Sequence, residues 1–239
     1  MHSALHFATF ADTRGKFETL RVVSEAATFI DPLRMYPFNE TNLEGIEHYA
    51  EFIKNNKRGY GYWIWKPLVV RHAFKKMNLG DVLLYCDAGC SLNAKGAARL
   101  QDYVNMAQTS PSGIVSFQMP HLDKHWCKSS LVKHLSEMGA ERHAETGQLM
   151  ATVFFIRKSE KNMRLVEKWL EIVSMFWTID DSPSNVPNFD GFQEHRHDQA
   201  VWSLLRKCVG TEILEDETWG NFSSAQMKMF PIWATRRRK

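Results

Sequence analysis

Long hydrophobic runs are missing from this 239-residue chain. No segment approaches the roughly 18 to 20 apolar residues that a membrane-crossing helix needs. The start, Met1 through Ala8, has too short an apolar run for a signal peptide and lacks its basic flank and cleavage pattern. Cysteine is scarce, and Cys86, Cys90, Cys127 and Cys208 form no CxxC pair. Free thiols in a reducing cytoplasm are therefore expected over a zinc site or a disulfide frame. The sequon Asn221-Phe222-Ser223 would go unused without secretion. An excess of one charge is lacking too: Lys and Arg number 30 against 27 Asp and Glu, with part of that surplus in the tail Arg236-Arg237-Arg238-Lys239. A near-neutral body argues against a dedicated nucleic-acid binder, and a short cationic tail is expected to be solvated and dispensable. No internal repeat and no low-complexity segment is present.

With 44% hydrophobic and 12% aromatic residues, the chain can bury one full core, so residues 1–239 are expected to form a single domain. A short apolar run from Ala4 to Ala11 reads as a buried strand ending at Asp12 and Thr13. A helical pattern over Lys16 to Ala27 puts Phe17, Leu20, Val23 and Ala27 on one face. Phe29 to Tyr36 suggests a short strand, and Glu40 to Asn55 a helix with Leu43, Ile46, Ala50 and Ile53 inward. Gly59 to Pro67 (GYGYWIWKP) is too rich in rings for a surface loop and too glycine-punctuated for a helix. A helix over Leu68 to Met77 follows. In Asp81 to Asp87 (DVLLYCD), Val82, Leu84 and Cys86 face one way, Leu83 and Tyr85 the other, as in a strand covered by helices on both faces. Further strands are predicted at Gly113–Phe117, Leu149–Ile156 and Glu212–Leu214, and helices at Ala94–Ala107, Ser129–Met138, Glu160–Phe176 and Arg196–Val209. Strands alternating with helices predict an α/β domain with a mostly parallel sheet flanked by helices.

Ligands of such sheets bind outside the carboxyl ends of the strands. Asp87 closes a buried strand, and Ala88-Gly89 after it lets backbone come close to a ligand. Glu194 to Gln199 (EHRHDQ) is the densest polar cluster, and Asp198 starts the buried face of its helix, where a carboxylate must be paired or must meet a ligand. His195 and His197 lie on different sides of a helical turn, so one metal ligand is expected there rather than two. Lys66 precedes a helix, where an anion is the natural partner. Trp63 and Trp65 read as core more readily than as a stacking platform.

The stretch YCDAG (Tyr85 to Gly89) resembles the DxD region of GT-A glycosyltransferases. YGYWIWKP, GDVLLYCDAG and EHRHDQAVWSLL together resemble a group of small bacterial and viral glycosyltransferases of that kind, over nearly the whole chain. The resemblance implies a single GT-A, Rossmann-like domain that moves a hexosyl or pentosyl group from a nucleotide-diphosphate sugar to a glycan, glycoprotein or lipid-linked acceptor. It places Thr9, Phe10, Ala11 and Asp12 at the nucleotide base, and Gly147 and Gln148 beside the transferred sugar. It also makes Asp87, Ala88 and Gly89 a donor-binding turn, with Asp198 and Gln199 on sugar hydroxyls and Asp198 as the catalytic carboxylate. A divalent cation, Mn2+ or Mg2+, is expected on Asp87 with His197, although Gly89 stands where the second DxD carboxylate belongs. Charge developing on the leaving diphosphate must be met by a cation or positioned donors, and Lys66 and Arg196 are further candidates. A nucleotidyltransferase, or a module that binds nucleotide sugars without transfer, would share much of this pattern.

Overall fold

The computed structural model describes residues 4–236, so Arg237, Arg238 and Lys239 of the basic tail lie outside them. Six strands form the main sheet: β1 (Leu5–Phe10), β2 (Met35–Phe38), β3 (Val82–Cys86), β5 (Ile114–Leu122), β6 (Gly147–Arg157) and β7 (Glu212–Glu215). Their order is β2-β1-β3-β6-β5-β7, and β6 alone runs against its neighbours. Two-residue strands β4 (Ser91–Leu92) and β8 (Ile232–Trp233) make a small second sheet. The helices are α1 (Lys16–Ala26), α2 (Ala50–Asn55), α3 (Gly59–Tyr62), α4 (Lys66–Lys75), α5 (Ala97–Thr109), α6 (Asp123–Trp126), α7 (Ser129–His134), α8 (Glu160–Ser174) and α9 (His197–Val209). Among the described residues, no helix is long and apolar enough to cross a membrane.

The α/β expectation holds, and β3 shows why. Leu83 and Tyr85 join the core under α4, α8 and α9, whereas Val82, Leu84 and Cys86 join the core under α1 and α5. Both faces are dry, which is what an uninterrupted apolar strand requires. On the first face Trp169 of α8 stacks on Trp202 of α9, with ring centroids 4.1 Å apart and planes 7° from parallel. Burying each such ring stabilises the fold by roughly 2 to 3 kcal/mol. From β1 the chain crosses one face through α1 to β2, then the other face through α4 to β3, which returns on the opposite side of β1. Open α/β sheets place their ligand crevice where the order changes side in this way, here at the carboxyl ends of β1 and β3.

Three local expectations need correction. Helix α1 buries Val22 and Ala26, while Phe17 and Leu20 are 67% and 58% exposed. The helix is turned so that Arg21 and Glu25 reach the loop after β3: Arg21 Nη2 donates to Ala88 O at 2.9 Å, and Leu92 N donates to Glu25 Oε2 at 2.7 Å. The second strand starts only at Met35, after Asp31 accepts from Leu33 N and starts a 3-10 turn. Glu40 to Asn55 is not one helix. Asn39 and Asn42 bond nearby backbone, Gly45 has φ +91°, and only a 3-10 turn and α2 follow, with Ala50 exposed. Asn side chains that capture backbone N–H groups compete with helix formation.

The aromatic segment is left-handed. Gly59, Tyr60, Gly61, Tyr62 and Trp63 all have positive φ, between 52° and 82°. Such backbone costs about 1 to 2 kcal/mol for each non-glycine residue. It is held by what it buries: Trp65 stacks on Phe10 at 4.0 Å and donates through Nε1 to Gly59 O, and Tyr62 donates to Asp181 Oδ2 at 2.6 Å. The turn delivers Lys66 to the sheet.

Candidate active site

Strand β3 hands Asp87 to the crevice, where Asp87 N donates to Thr152 O at 2.9 Å and Cys90 N closes a turn onto Asp87 O. Its carboxylate accepts from the Tyr85 hydroxyl at 2.7 Å and stays 26% exposed. Burial pushes the Tyr85 phenol well up, so it remains a donor. The loop is braced from three sides, by Arg21 on Ala88 O, Glu25 on Leu92 N and Thr235 Oγ1 on Gly89 O at 3.1 Å.

Lys66, at the start of α4, lies under Asp87 with its ammonium buried. Nζ is 3.3 Å from Asp87 Oδ1, 3.4 Å from Asp198 Oδ2 and 3.0 Å from Ala151 O, with the Tyr85 ring 5.4 Å away. Burial opposes its charge, but the two carboxylates outweigh it and the pKa is raised. The cation is therefore held in place, and it joins two carboxylates 111 residues apart in sequence.

Asp198 opens α9 and is 2% exposed. Burial raises its carboxyl to about 7; Lys66 offsets part of this and Asp87 adds to it. Oδ2 lies within ion-pair distance of Lys66 but outside hydrogen-bond geometry, and has no hydrogen-bond partner among the described residues. A buried carboxylate oxygen without a hydrogen bond costs free energy unless a proton or a ligand satisfies it.

Next to it a buried polar chain runs inward. Ala151 N donates to Gln199 Oε1, Gln199 Nε2 donates to Gln148 Oε1 at 2.7 Å, and Gln148 Nε2 donates to Asp123 Oδ1 at 3.0 Å. Asp123 also accepts from Ser203 and from Lys207 Nζ at 2.5 Å, and Lys207 donates to Gly147 O at 2.7 Å. Gln148 is fully buried, so any ligand contact it has runs through Gln199. Asp123, Ser203 and Lys207 complete the chain. Of these only Asp123 carries a signal in sequence, as a carboxylate just after an apolar strand.

The remaining candidates divide between wall and core. Phe10 is core. Thr9 is fully buried, with Oγ1 unpartnered among the described residues. Ala11 N bonds Phe38 O, and Asp12 accepts from Arg14 N and Nε, so this carboxylate caps the turn after β1. Arg196 lays its guanidinium over the Trp126 ring at 3.9 Å. His197 belongs to another cluster: Nδ1 donates to Ile179 O at 2.7 Å and the ring stacks on Tyr62 at 4.4 Å, at a backbone φ of +52°. His195 Nε2 donates to Thr178 O while Nδ1 accepts from Lys128 N, and burial lowers it to about 3, so it is neutral.

Among the described residues no three His, Cys, Asp or Glu side chains come together to hold an ion. Asp87 Oδ1 meets both Tyr85 and Lys66, and His197 Nδ1 donates to Ile179 O, while His197 Nε2 is buried without a hydrogen-bond partner among the described residues. Lys66 sits between the two carboxylates as their cation. A cavity of about 510 Å3 lies elsewhere, lined by Arg71, Phe74, Lys75, Lys158, Met163, Val166 and Glu167, and contains none of this chemistry.

No protein-family model and no curated protein matches the sequence. Among solved structures, the chain is similar to mouse xyloside xylosyltransferase 1 in its apo form, at 9% identity over 96% of this chain and 97% of that one, with a TM-score of 0.48. It is also similar to a glycosyltransferase involved in glycosylation of the major capsid of PBCV-1, at 11% identity over 96% and 92%, TM-score 0.49. A third is the glycosyltransferase GlyE of Streptococcus pneumoniae TIGR4, at 11% identity over 90% of this chain and 46% of that one, TM-score 0.42.

Proposed function

We propose that the chain is a glycosyltransferase that moves a sugar from a nucleotide-diphosphate sugar to an acceptor hydroxyl. The observation that carries this reading is the Asp87–Lys66–Asp198 cluster at the carboxyl end of β3, with one carboxyl raised to about 7 and its Oδ2 held by the Lys66 charge but without a hydrogen-bond partner among the described residues. Its support in sequence is the resemblance of YCDAG and EHRHDQ to the donor and sugar-binding segments of GT-A enzymes.

In this reading the half-open Asp87 carboxylate contacts the donor. Lys66 is a positioning residue, because its buried ammonium keeps both carboxylates in register without itself reaching solvent. Asp198 Oδ2 accepts a hydroxyl hydrogen from donor or acceptor sugar. During transfer the acceptor oxygen bonds the anomeric carbon as the bond to the diphosphate oxygen breaks, the diphosphate leaves with that electron pair, and the hydroxyl proton passes to a base. A carboxyl with a pKa near 7 is suited to that proton at neutral pH. The burial of Asp198 favours a second reading, nucleotide-sugar binding without turnover.

The test of donor binding is thermal melting across UDP-, GDP-, ADP- and dTDP-sugars, with and without manganese. A donor present at about 100 times its Kd stabilises the native state by roughly 2.7 kcal/mol, on the order of 5 to 10 °C for a chain of this size. No shift with any donor contradicts the reading.

A further inference from the structure

Lys66 and Asp198 come from two segments of chain, and both segments are fastened to residues 177–182, between α8 and α9. On the Lys66 side, the Tyr62 hydroxyl donates to Asp181 Oδ2 at 2.6 Å. On the Asp198 side, His195 Nε2 donates to Thr178 O and His197 Nδ1 to Ile179 O, both at 2.7 Å. The His197 ring stacks on Tyr62 with centroids 4.4 Å apart, and its Nε2 lies 3.8 Å from Asp181 Oδ1, so the three segments meet in one place. His197 also holds a φ of +52° directly before Asp198, a conformation that its Cβ makes costly and that surrounding contacts must maintain.

One buried cation closes residues 177–182 into a ring. Lys128, directly before α7, is 2% exposed, and its ammonium donates to Asp180 O and Ser182 O at 3.1 Å, to Asp180 Oδ1 at 3.2 Å, to Ser182 Oγ at 3.3 Å and, closer still, to Trp177 O. The backbone N of Lys128 donates to His195 Nδ1 at 3.3 Å, so the same residue holds both the ring and a histidine bound to it. Without the ammonium, three carbonyl oxygens and the Asp180 carboxylate face one another with no charge to draw them together.

We propose that Lys128 is a positioning residue of the active site: by closing residues 177–182 into a ring it fixes the anchors of Tyr62 and His197, and through them the placement of Lys66 against Asp198. The role in transfer rests on the glycosyltransferase reading, whereas the placement of Asp198 is measurable without any donor. Asp87 is set by β3 and by Thr152 O rather than by this ring, so its contact with a donor survives when the ring is opened. Asp198 instead loses its fixed place beside Lys66 and meets water.

The test is Lys128→Met, with Tyr62→Phe as a milder variant that removes only the hydroxyl on Asp181 and keeps the ring in the core. Asn162→Ala is the control, since it cuts buried hydrogen bonds to Ser112 O and Arg157 O at the end of the sheet away from Asp87. Each is made with and without Asp198→Asn, and urea unfolding is followed at about pH 5 and about pH 8. In wild type and in Asn162→Ala, Asp198→Asn is expected to give the same gain in relative stability as pH rises. In Lys128→Met, and to a lesser degree in Tyr62→Phe, that gain should shrink, because a hydrated Asp198 ionises nearer its ordinary value. Release of nucleoside diphosphate should fall on the order of a hundredfold in Lys128→Met, the scale of a misplaced reacting group, while the melting shift given by the donor persists. The same gain in Lys128→Met as in wild type, or in Tyr62→Phe should Lys128→Met fail to fold, overturns this inference and leaves the donor reading standing. A wild-type chain with neither donor shift nor release overturns the glycosyltransferase reading, and the unfolding series then still decides whether Lys128 places Asp198.

Discussion

Replacing Asp198 by Asn should change how stability depends on pH. The carboxyl of Asp198 moves from 3.8 in an unfolded chain to about 7 in the fold, chiefly through burial. Between those values the folded state holds a proton that the unfolded chain has released, so this group's contribution is complete below the lower value and lost as pH rises through the upper one. From about pH 5 to about pH 8 the loss spans roughly two units, or about 2 to 3 kcal/mol. Asn cannot titrate, so Asp198→Asn escapes the loss, while most other groups titrate alike in both chains and cancel. Urea unfolding of both proteins at about pH 5, 6, 7 and 8 should show the variant gaining about 2 to 3 kcal/mol relative to wild type across the series. Transfer by the variant should fall on the order of a hundredfold, the scale of a lost general base. Parallel stability curves would show that Asp198 ionises like an ordinary carboxylate, and the reasoning from its burial would be refuted.

Lys66→Met leaves Asp87 and Asp198 facing each other without their cation and should cost roughly 3 to 5 kcal/mol in urea unfolding; Lys66→Arg should not restore it, because a flat guanidinium cannot replace a compact ammonium among three acceptors. Asp87→Ala should abolish the melting shift given by the donor while the free protein melts within about 5 °C of wild type, since this partly exposed group contributes more to binding than to packing. Gly96→Ala should lower stability by about 1 to 3 kcal/mol, as its Cβ forces the backbone of Pro231 away. An unchanged melting temperature there would mean that the C-terminal segment is not fastened to α5.

Strand β3 was legible because its alternation is complete: each face meets its own helix layer, and the aspartate ending it had to emerge at the crevice. Helices α8 and α9 were legible from apolar spacing. What sequence reasoning missed depends on distance or on backbone that propensity disfavours. Lys66 and Asp198 are 132 positions apart, and nothing local marks them as partners. The side chains of Arg21 and Glu25 outweighed the apolar stripe of α1 because the loop after β3 offered them backbone partners. Positive φ at Tyr60, Tyr62 and Trp63 follows from ring packing around Trp65 and His197, not from residue type. Strands β4 and β8, two residues each, are too short for any periodicity to show.

Turnover is the most direct test of the central claim. Purified wild-type chain, Asp87→Ala and Asp198→Asn would each be incubated with the nucleotide sugar that gives the largest melting shift, in manganese and in chelator, and released nucleoside diphosphate would be counted. The account predicts slow release by wild type above the uncatalysed background and none above it for either variant. Tight donor binding with no release under either condition, or full release by Asp87→Ala, would contradict it.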